Sequence, residues 1–170
     1  MHAGSSSMLS EHDARGIVDR AHATWSSRNV DKLLALYDDD LIYWCNVGGP
    51  DGGPHILRGK SAFKGALDAF LVSTESVSTV QSFALHDPFS LNPVGKATVY
   101  FRVVHVPTKN VLEGTFRQIV TFRRGKILRL DEFHDEARMK AFWQLVADTN
   151  PPQQDLWNFP ASTKRPRNGK

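Results

Sequence analysis

The stretch of this chain richest in potential chemistry is Ile127-Leu128-Arg129-Leu130-Asp131-Glu132-Phe133-His134-Asp135, which follows a Gly-Lys turn. Read as a strand, it alternates Leu128, Leu130, Glu132 and His134 onto one face, so a carboxylate and an imidazole continue a row of leucines. Desolvating an ionisable group costs free energy or shifts its pKa, so such groups at the open end of an apolar face need partners or a task. The task their types suggest is proton transfer. Burial beside apolar neighbours raises the pKa of Glu132 and lets it shuttle a proton, while His134 orients it or a ligand. The competing reading is structural. Glu132 then bonds a neighbouring strand or Arg102, His134 sits on a rim, and Asp135 caps a final helix.

The elements that must position this pair follow from periodicity. Ser10-Glu11-His12-Asp13 resembles a capping box, and Ala14, Ile17, Val18, Ala21 and Trp25 recur at helical spacing behind it. Asn29 and Val30 open a second helix through Leu33, Leu34 and Tyr37, ended by Asp38-Asp39-Asp40. These three acids read as a solvated turn rather than a metal site. A β-rich run from Leu41 to Val47 follows, then a loop, Gly48-Gly49-Pro50-Asp51-Gly52-Gly53-Pro54, suited to a mobile connection or pocket lid. Ala62, Phe63, Ala66, Leu67 and Phe70 mark a third helix. Strands are expected at 77–86, 97–106, 111–123 and 126–134, and a last helix carries Met139, Phe142, Trp143 and Val146 up to Pro151-Pro152.

The final hairpin sets a register. With Arg123-Arg124-Gly125 as a three-residue loop, Val120 pairs with Leu128, Gln118 with Leu130, Phe116 with Glu132 and Gly114 with His134. Leu112, Gly114, Phe116, Val120, Phe122, Leu128 and Leu130 then share one face, and Phe116 makes the surroundings of Glu132 apolar.

Length and composition bound the rest. A chain of 170 residues with 41% hydrophobic content suits one domain with its own core: a flexible N-terminus at 1–9, a folded domain at 10–148 and a basic tail at 149–170. The sequence pI is about 9.1. The excess charge is local, however: Lys164, Arg165, Arg167 and Lys170 against Asp155 account for the whole net charge of +3. A neutral body with a short basic tail argues against a phosphate-binding groove, so no nucleic-acid partner is expected. The tail is expected to be dispensable for folding. There is no signal-peptide core and no 18-residue apolar run, so neither a membrane partner nor export is expected, and the cytoplasm is the economical location. Metal ligation is not expected either, since the chain has one cysteine and seven scattered histidines.

Helices first, then strands with one apolar face, then a closing helix, make an α+β plan in which a curved antiparallel sheet wraps over the N-terminal helices and encloses a cavity. The order of elements, the Trp25 to Tyr37 helical pair, Arg58-Gly59-Lys60-Ser61-Ala62-Phe63, and Gly125-Lys126-Ile127 running to Phe133-His134-Asp135 together resemble the nuclear-transport-factor-2-like superfamily. The similarity is greatest to its SnoaL-like branch and covers roughly residues 10–148. That resemblance implies a cone-shaped cavity and an activity drawn from polyketide cyclases, ketosteroid isomerases, scytalone dehydratases, limonene epoxide hydrolases or non-catalytic proteins. The epoxide hydrolases' Tyr-x-Asn has its counterpart in Trp44-Cys45-Asn46, but their Arg-x-Asp is missing from Val99-Tyr100-Phe101-Arg102-Val103-Val104. The dehydratases' paired histidines are not reproduced, although His105 projects inward beside Phe101 and Val103 on the expected alternation. The cyclases' inward carboxylate corresponds to Glu132.

The expectation is therefore a cofactor-independent isomerase, dehydratase or cyclase acting on a small apolar or aromatic, polyketide- or steroid-like molecule. Glu132 and His134 are its catalytic pair, and Trp44, Asn46, Phe101, His105, Phe116 and Leu130 line the ligand site. The alternative is a non-enzymatic small-molecule-binding or dimerisation module. Alternation turns Cys45 to the opposite face, away from the site. A homodimer is expected through the outer sheet face, where Tyr100, Val104, Val106, Ile119 and Phe133 would lie.

Overall fold

The computed structural model describes residues 8–48 and 53–149. The expected flexible N-terminus lies almost wholly, and the middle of the Gly/Pro loop and all but the first residue of the basic tail lie wholly, outside the described residues. Helix α1 (Glu11–Ser26) starts where the capping box places it, with the Ser10 hydroxyl accepting from the Asp13 amide at 3.1 Å. Its buried stripe is Ala14, Ile17, Val18 and Ala21, joined by His22. Helix α2 (Val30–Ala35) is capped by the Asn29 side chain. It is shorter than expected, because the chain is already extended at Tyr37 and runs through the acidic triplet as part of β1 (Tyr37–Cys45). Arg123 holds Asp38 and Asp40 there, and Lys60 holds Asp39, so the three acids are ion-paired strand residues rather than a turn.

Strand β2 (His55–Arg58) has four residues, too few for a periodicity reading, and was not anticipated. Helix α3 (Lys60–Ser73) buries Phe63, Leu67, Phe70 and Leu71. Strands β3 (Thr74–His86), β4 (Val94–His105), β5 (Val111–Arg123) and β6 (Lys126–Phe133) follow, then α4 (Glu136–Thr149), which buries Phe142 and Val146. Asp135 caps α4, accepting from the Arg138 amide at 3.0 Å.

The strands form one sheet in the order β2-β1-β6-β5-β4-β3. The α+β class and the leading helices agree with expectation. The cone-shaped, wholly antiparallel sheet does not. Strands β1 and β6 are parallel, and the outermost strands, β2 and β3, do not pair with each other, so the sheet is open rather than closed or strongly curled. The physical reason lies in the edges. The short β2 offers hydrogen bonds only to β1, and nothing joins it to the far edge to close the sheet. Helices α1, α3 and α4 cover one face instead, and the core lies between them and the inward side chains of β4, β5 and β6.

The β5–β6 hairpin also departs from the expected register, in two steps. The loop has two residues, Arg124 and Gly125, both with positive φ (51° and 72°), as a type I′ turn requires. Leu128 is then the extra residue of a bulge between the pairs Phe122 with Ile127 and Thr121 with Arg129. Each step moves the pairing by one residue. Beyond the bulge Val120 faces Leu130 and Gln118 faces Glu132. A shift of two preserves the faces, so Glu132 and His134 still line the covered side, but the partner of Glu132 is Gln118 and not Phe116. Ahead of the bulge the faces exchange, and Ile127 takes the buried place expected for Leu128.

Candidate functional site

A pocket of about 140 Å³ lies between the covered face of the sheet and α1, α3 and α4. Its wall is overwhelmingly apolar, with Phe63, Phe70, Phe101, Phe116, Leu130 and Trp143 among the residues that form it. The polar exception is a knot of side chains around Glu132. Tyr43 Oη donates to Glu132 Oε2 at 2.9 Å, Gln118 Nε2 donates to Oε1 at 3.0 Å, and His134 Nε2 lies 3.2 Å from Oε2.

The knot extends one layer further. Glu132 as a carboxylate can only accept, so Gln118 must turn its amide nitrogen to it and its oxygen away. That oxygen lies 3.3 Å from His22 Nε2, which therefore carries the proton, while His22 Nδ1 accepts from the Ser78 hydroxyl at 2.8 Å. Burial holds the pKa of His22 below its usual value, outweighing the upward pull of Gln118 and the Glu132 charge, and this neutral tautomer persists.

Glu132 itself departs from expectation. Burial pushes its pKa up, but the hydrogen bond and charge of His134, with the bonds from Tyr43 and Gln118, more than offset this. The net shift is downward, and Glu132 is an ionised acceptor. The expectation of a raised pKa sets burial against His134 alone; Tyr43 and Gln118 are further donors that only the folded register supplies. The Tyr43 hydroxyl is pushed well above its usual range by burial and then by the Glu132 charge, so it stays a donor. The Cys45 thiol is pushed up to about 12 for the same two reasons.

His134 is held as firmly as Glu132. Its ring stacks on Phe116 with centroids 4.3 Å apart at 24° and meets the edge of Phe101 at 5.4 Å and 89°. With Nε2 directed at a carboxylate, the other ring nitrogen, Nδ1, is buried without a hydrogen-bond partner among the described residues.

Of the residues singled out in the sequence, Phe101, Phe116, Leu130, Glu132 and His134 meet in the pocket. Trp44 does not. It points to the outer face and packs on Phe133, ring centroids 5.0 Å apart. Asn46 clamps backbone instead of lining the pocket, donating to the His134 carbonyl at 2.9 Å and accepting from the His134 amide at 2.8 Å. His105 is buried at the end of β4, its Nδ1 2.8 Å from the Thr108 hydroxyl, and it too stands outside the pocket lining. Arg102 lies beside Glu113, so it is not the partner of Glu132.

The phase of β1 explains the exchange of Trp44 for its neighbours. Tyr37, Leu41, Cys45 and Val47 are buried, so the odd residues face inward and bring Tyr43 and Cys45 to the pocket. Three residues of the pocket thus escaped the sequence reading, His22, Tyr43 and Gln118, and Cys45, expected on the opposite face, is a fourth. Each left a trace. His22 sits in the buried stripe of α1, Gln118 interrupts an apolar row between Phe116 and Val120, and Leu41, Tyr43, Cys45 and Val47 alternate.

The SnoaL-like domain profile matches residues 18–130. No curated protein sequence matches the chain. Among solved structures, PrhC from Penicillium brasilianum NBRC 6234 superposes with a TM-score of 0.67 at 10% identity, over 81% of this chain and 90% of that one. TerC, co-crystallized with polyporic acid, does so with a TM-score of 0.64 at 15% identity, over 78% and 98%. An LEH-like epoxide hydrolase of M. tuberculosis gives 0.62 at 15% identity, over 84% and 98%. At these identities the structural likeness speaks for the fold, while the profile match spans most of the chain, from within α1 to Leu130 in β6, and stops short of Glu132, His134 and α4. On that match, the chain belongs to the SnoaL-like domain family.

Proposed function

We propose that the protein is an acid/base enzyme of isomerase, dehydratase or cyclase type that works without a cofactor on a small apolar or aromatic molecule. The observation that carries this reading is the His134–Glu132 pair in an apolar pocket, with one imidazole nitrogen on a buried carboxylate and the other without a partner. A carboxylate on Nε2–H fixes the tautomer and leaves Nδ1 as the basic atom. When Nδ1 takes a proton, the anionic Glu132 stabilises the imidazolium. Proton transfer therefore belongs to His134, and Glu132 acts through it. Phe116 and Phe101 hold the ring in place, and the Asn46 clamp fixes its backbone.

The size of the pocket bears on the substrate. A cavity of ~150 Å³ holds a benzene-sized molecule, so this partly open pocket of about 140 Å³ has room for at least one aromatic ring. TerC, which shares the fold, was co-crystallized with a small organic molecule, polyporic acid, in keeping with a small-molecule ligand here.

Turnover of a panel of enolisable ketones and hydroxylated aromatics tests the reading. His134→Gln and Glu132→Gln should each lower any turnover found by about 10²–10⁴-fold while the fold, followed by circular dichroism, survives. Turnover that persists in both variants overturns the proposal. If nothing turns over and Glu132→Gln only weakens a co-purified ligand, the protein is a binding module. The homodimer belongs to the same proposal. Tyr100, Val104, Val106 and Ile119 are half-buried and Phe133 is exposed on the face away from the pocket. Light scattering at micromolar concentration should give twice the chain mass, and a monomer mass removes the dimer.

A further inference from the structure

Strands β1 and β6 run parallel with Cys45 opposite Glu132, and residues paired across parallel strands project to the same side. His134 follows two residues later. A Cys45 Sγ, a Glu132 carboxylate oxygen and a His134 ring nitrogen therefore lie within 4.8 Å of one another at the edge of the pocket. We infer that these three side chains form a binding site for a borderline-soft divalent cation, Zn²⁺ by preference, with a fourth coordination position open to the pocket.

The donor set sets the ion class. Thiolate with imidazole and one carboxylate suits zinc and excludes magnesium and calcium, which take oxygen ligands. Tetrahedral zinc spaces its ligand atoms about 3.3–3.6 Å apart, given its bond lengths. The cluster needs to close by little more than an ångström. Binding of the ion releases the Cys45 thiol proton to solvent, and the resulting thiolate with the Glu132 carboxylate neutralises a divalent ion, so the loaded site carries no net charge in an apolar wall.

An independent observation concerns His134. Its side chain is only 10% exposed and its Nε2 already lies 3.2 Å from Glu132 Oε2, so an imidazole nitrogen and a carboxylate are brought together away from bulk water. The surrounding groups are those a metal site needs. Gln118 and Tyr43 already orient the carboxylate, and Asn46 locks the backbone of His134. The sequence concealed the site because its ligands come from two strands whose pairing joins residues far apart in the chain.

This inference goes beyond the acid/base reading and stands apart from it. An ion here takes up the imidazole and carboxylate that proton transfer would use, so ion binding and cofactor-free turnover exclude each other at one site. The full chain, stripped with chelator, is titrated with Co²⁺ as a spectroscopic stand-in and then with Zn²⁺. One equivalent of Co²⁺ should produce a thiolate-to-cobalt charge-transfer band and the visible bands of a four-coordinate ion, both erased by Zn²⁺. Cys45→Ser should abolish the charge-transfer band, and His134→Gln should weaken binding about tenfold or more. Absence of a saturable thiolate band in the parent chain, or binding undiminished in His134→Gln, overturns the inference, and the second criterion applies even if Cys45→Ser does not fold. A cobalt band together with turnover that survives Glu132→Gln keeps the metal site and discards the acid/base reading. No band, with turnover lost in Glu132→Gln, does the reverse.

Discussion

Strand β1 meets acidic chemistry at both ends and handles it by opposite means. At its start Arg123 Nε donates to Asp38 at 3.0 Å, while Nη2 reaches both Asp38 and Asp40, the latter at 2.6 Å, and Lys60 lies 2.8 Å from Asp39. Full charges of opposite sign meet there at the surface, and the Arg123 guanidinium holds the Asp38 carboxyl down to about 2. At its end a single carboxylate, Glu132, is buried against Tyr43, Gln118 and His134, with no lysine or arginine among its hydrogen-bond donors. The three consecutive acids, which catch the eye in the sequence, tie β1 to the end of β5 through Asp38 and Asp40 and to the start of α3 through Asp39. In the proposed reading the lone acid is the one that serves chemistry, because uncharged donors in an apolar wall leave its interaction with an imidazole unscreened.

Substitutions at the two ends sharpen the contrast. The largest effect belongs to the pocket: Glu132→Gln should remove about 10²–10⁴-fold of any turnover. Asp38→Asn should leave turnover as it was, and a comparable loss in Asp38→Asn would erase the distinction between the ends. Next is Gln118→Leu, which strips a donor from Glu132 and leaves the His22 N–H without its acceptor. An unsatisfied buried polar group costs about 1–3 kcal/mol, measurable in urea unfolding. A Gln118→Leu protein as stable as the parent would show that the knot carries no stability.

The surface end should respond through pH. The folded pKa of Asp38 is about 2, against about 3.9 for an unperturbed aspartate. Its contribution is therefore complete above about pH 4 and is lost as pH falls through 2. Asp38→Asn should lower the thermal midpoint by about 2–4 °C at pH 7, with the difference vanishing near pH 2. A pH-independent difference would assign the effect to packing rather than charge. The smallest effect is expected from Lys60→Ala, whose partner Asp39 is 90% exposed. Its midpoint should move by no more than about a degree, and less still in high salt.

Much of this was legible without coordinates because it is local. The Ser10 cap, the stripe of Ala14, Ile17, Val18 and Ala21, the Asp135 cap, and the placement of Glu132 and His134 on the covered face all follow from periodicities of 3.6 and 2. Cys45 and Trp44 were exchanged because a short strand holding both an aromatic and an alternating aliphatic set can be phased either way until something is packed against it. His22 and Gln118 were readable only as polar interruptions of apolar rows, which mark burial without naming a partner.

The sequence by itself determined the long helices and strands, the caps of α1 and α4, and the faces of β5 and of β6 beyond Leu128. Only the tertiary structure decided which residues meet across those faces. A register shift of two keeps each side chain on its own side, so the hydrophobic pattern cannot distinguish Phe116 from Gln118 as the neighbour of Glu132. The two-residue turn and the bulge at Leu128 make that choice. The parallel union of β1 with β6 likewise brings Tyr43 to Glu132 across 89 positions of chain. The open sheet leaves the helices to finish the pocket, because strand pairing over such separations is decided by the packing of the whole domain and not by any segment's own preference.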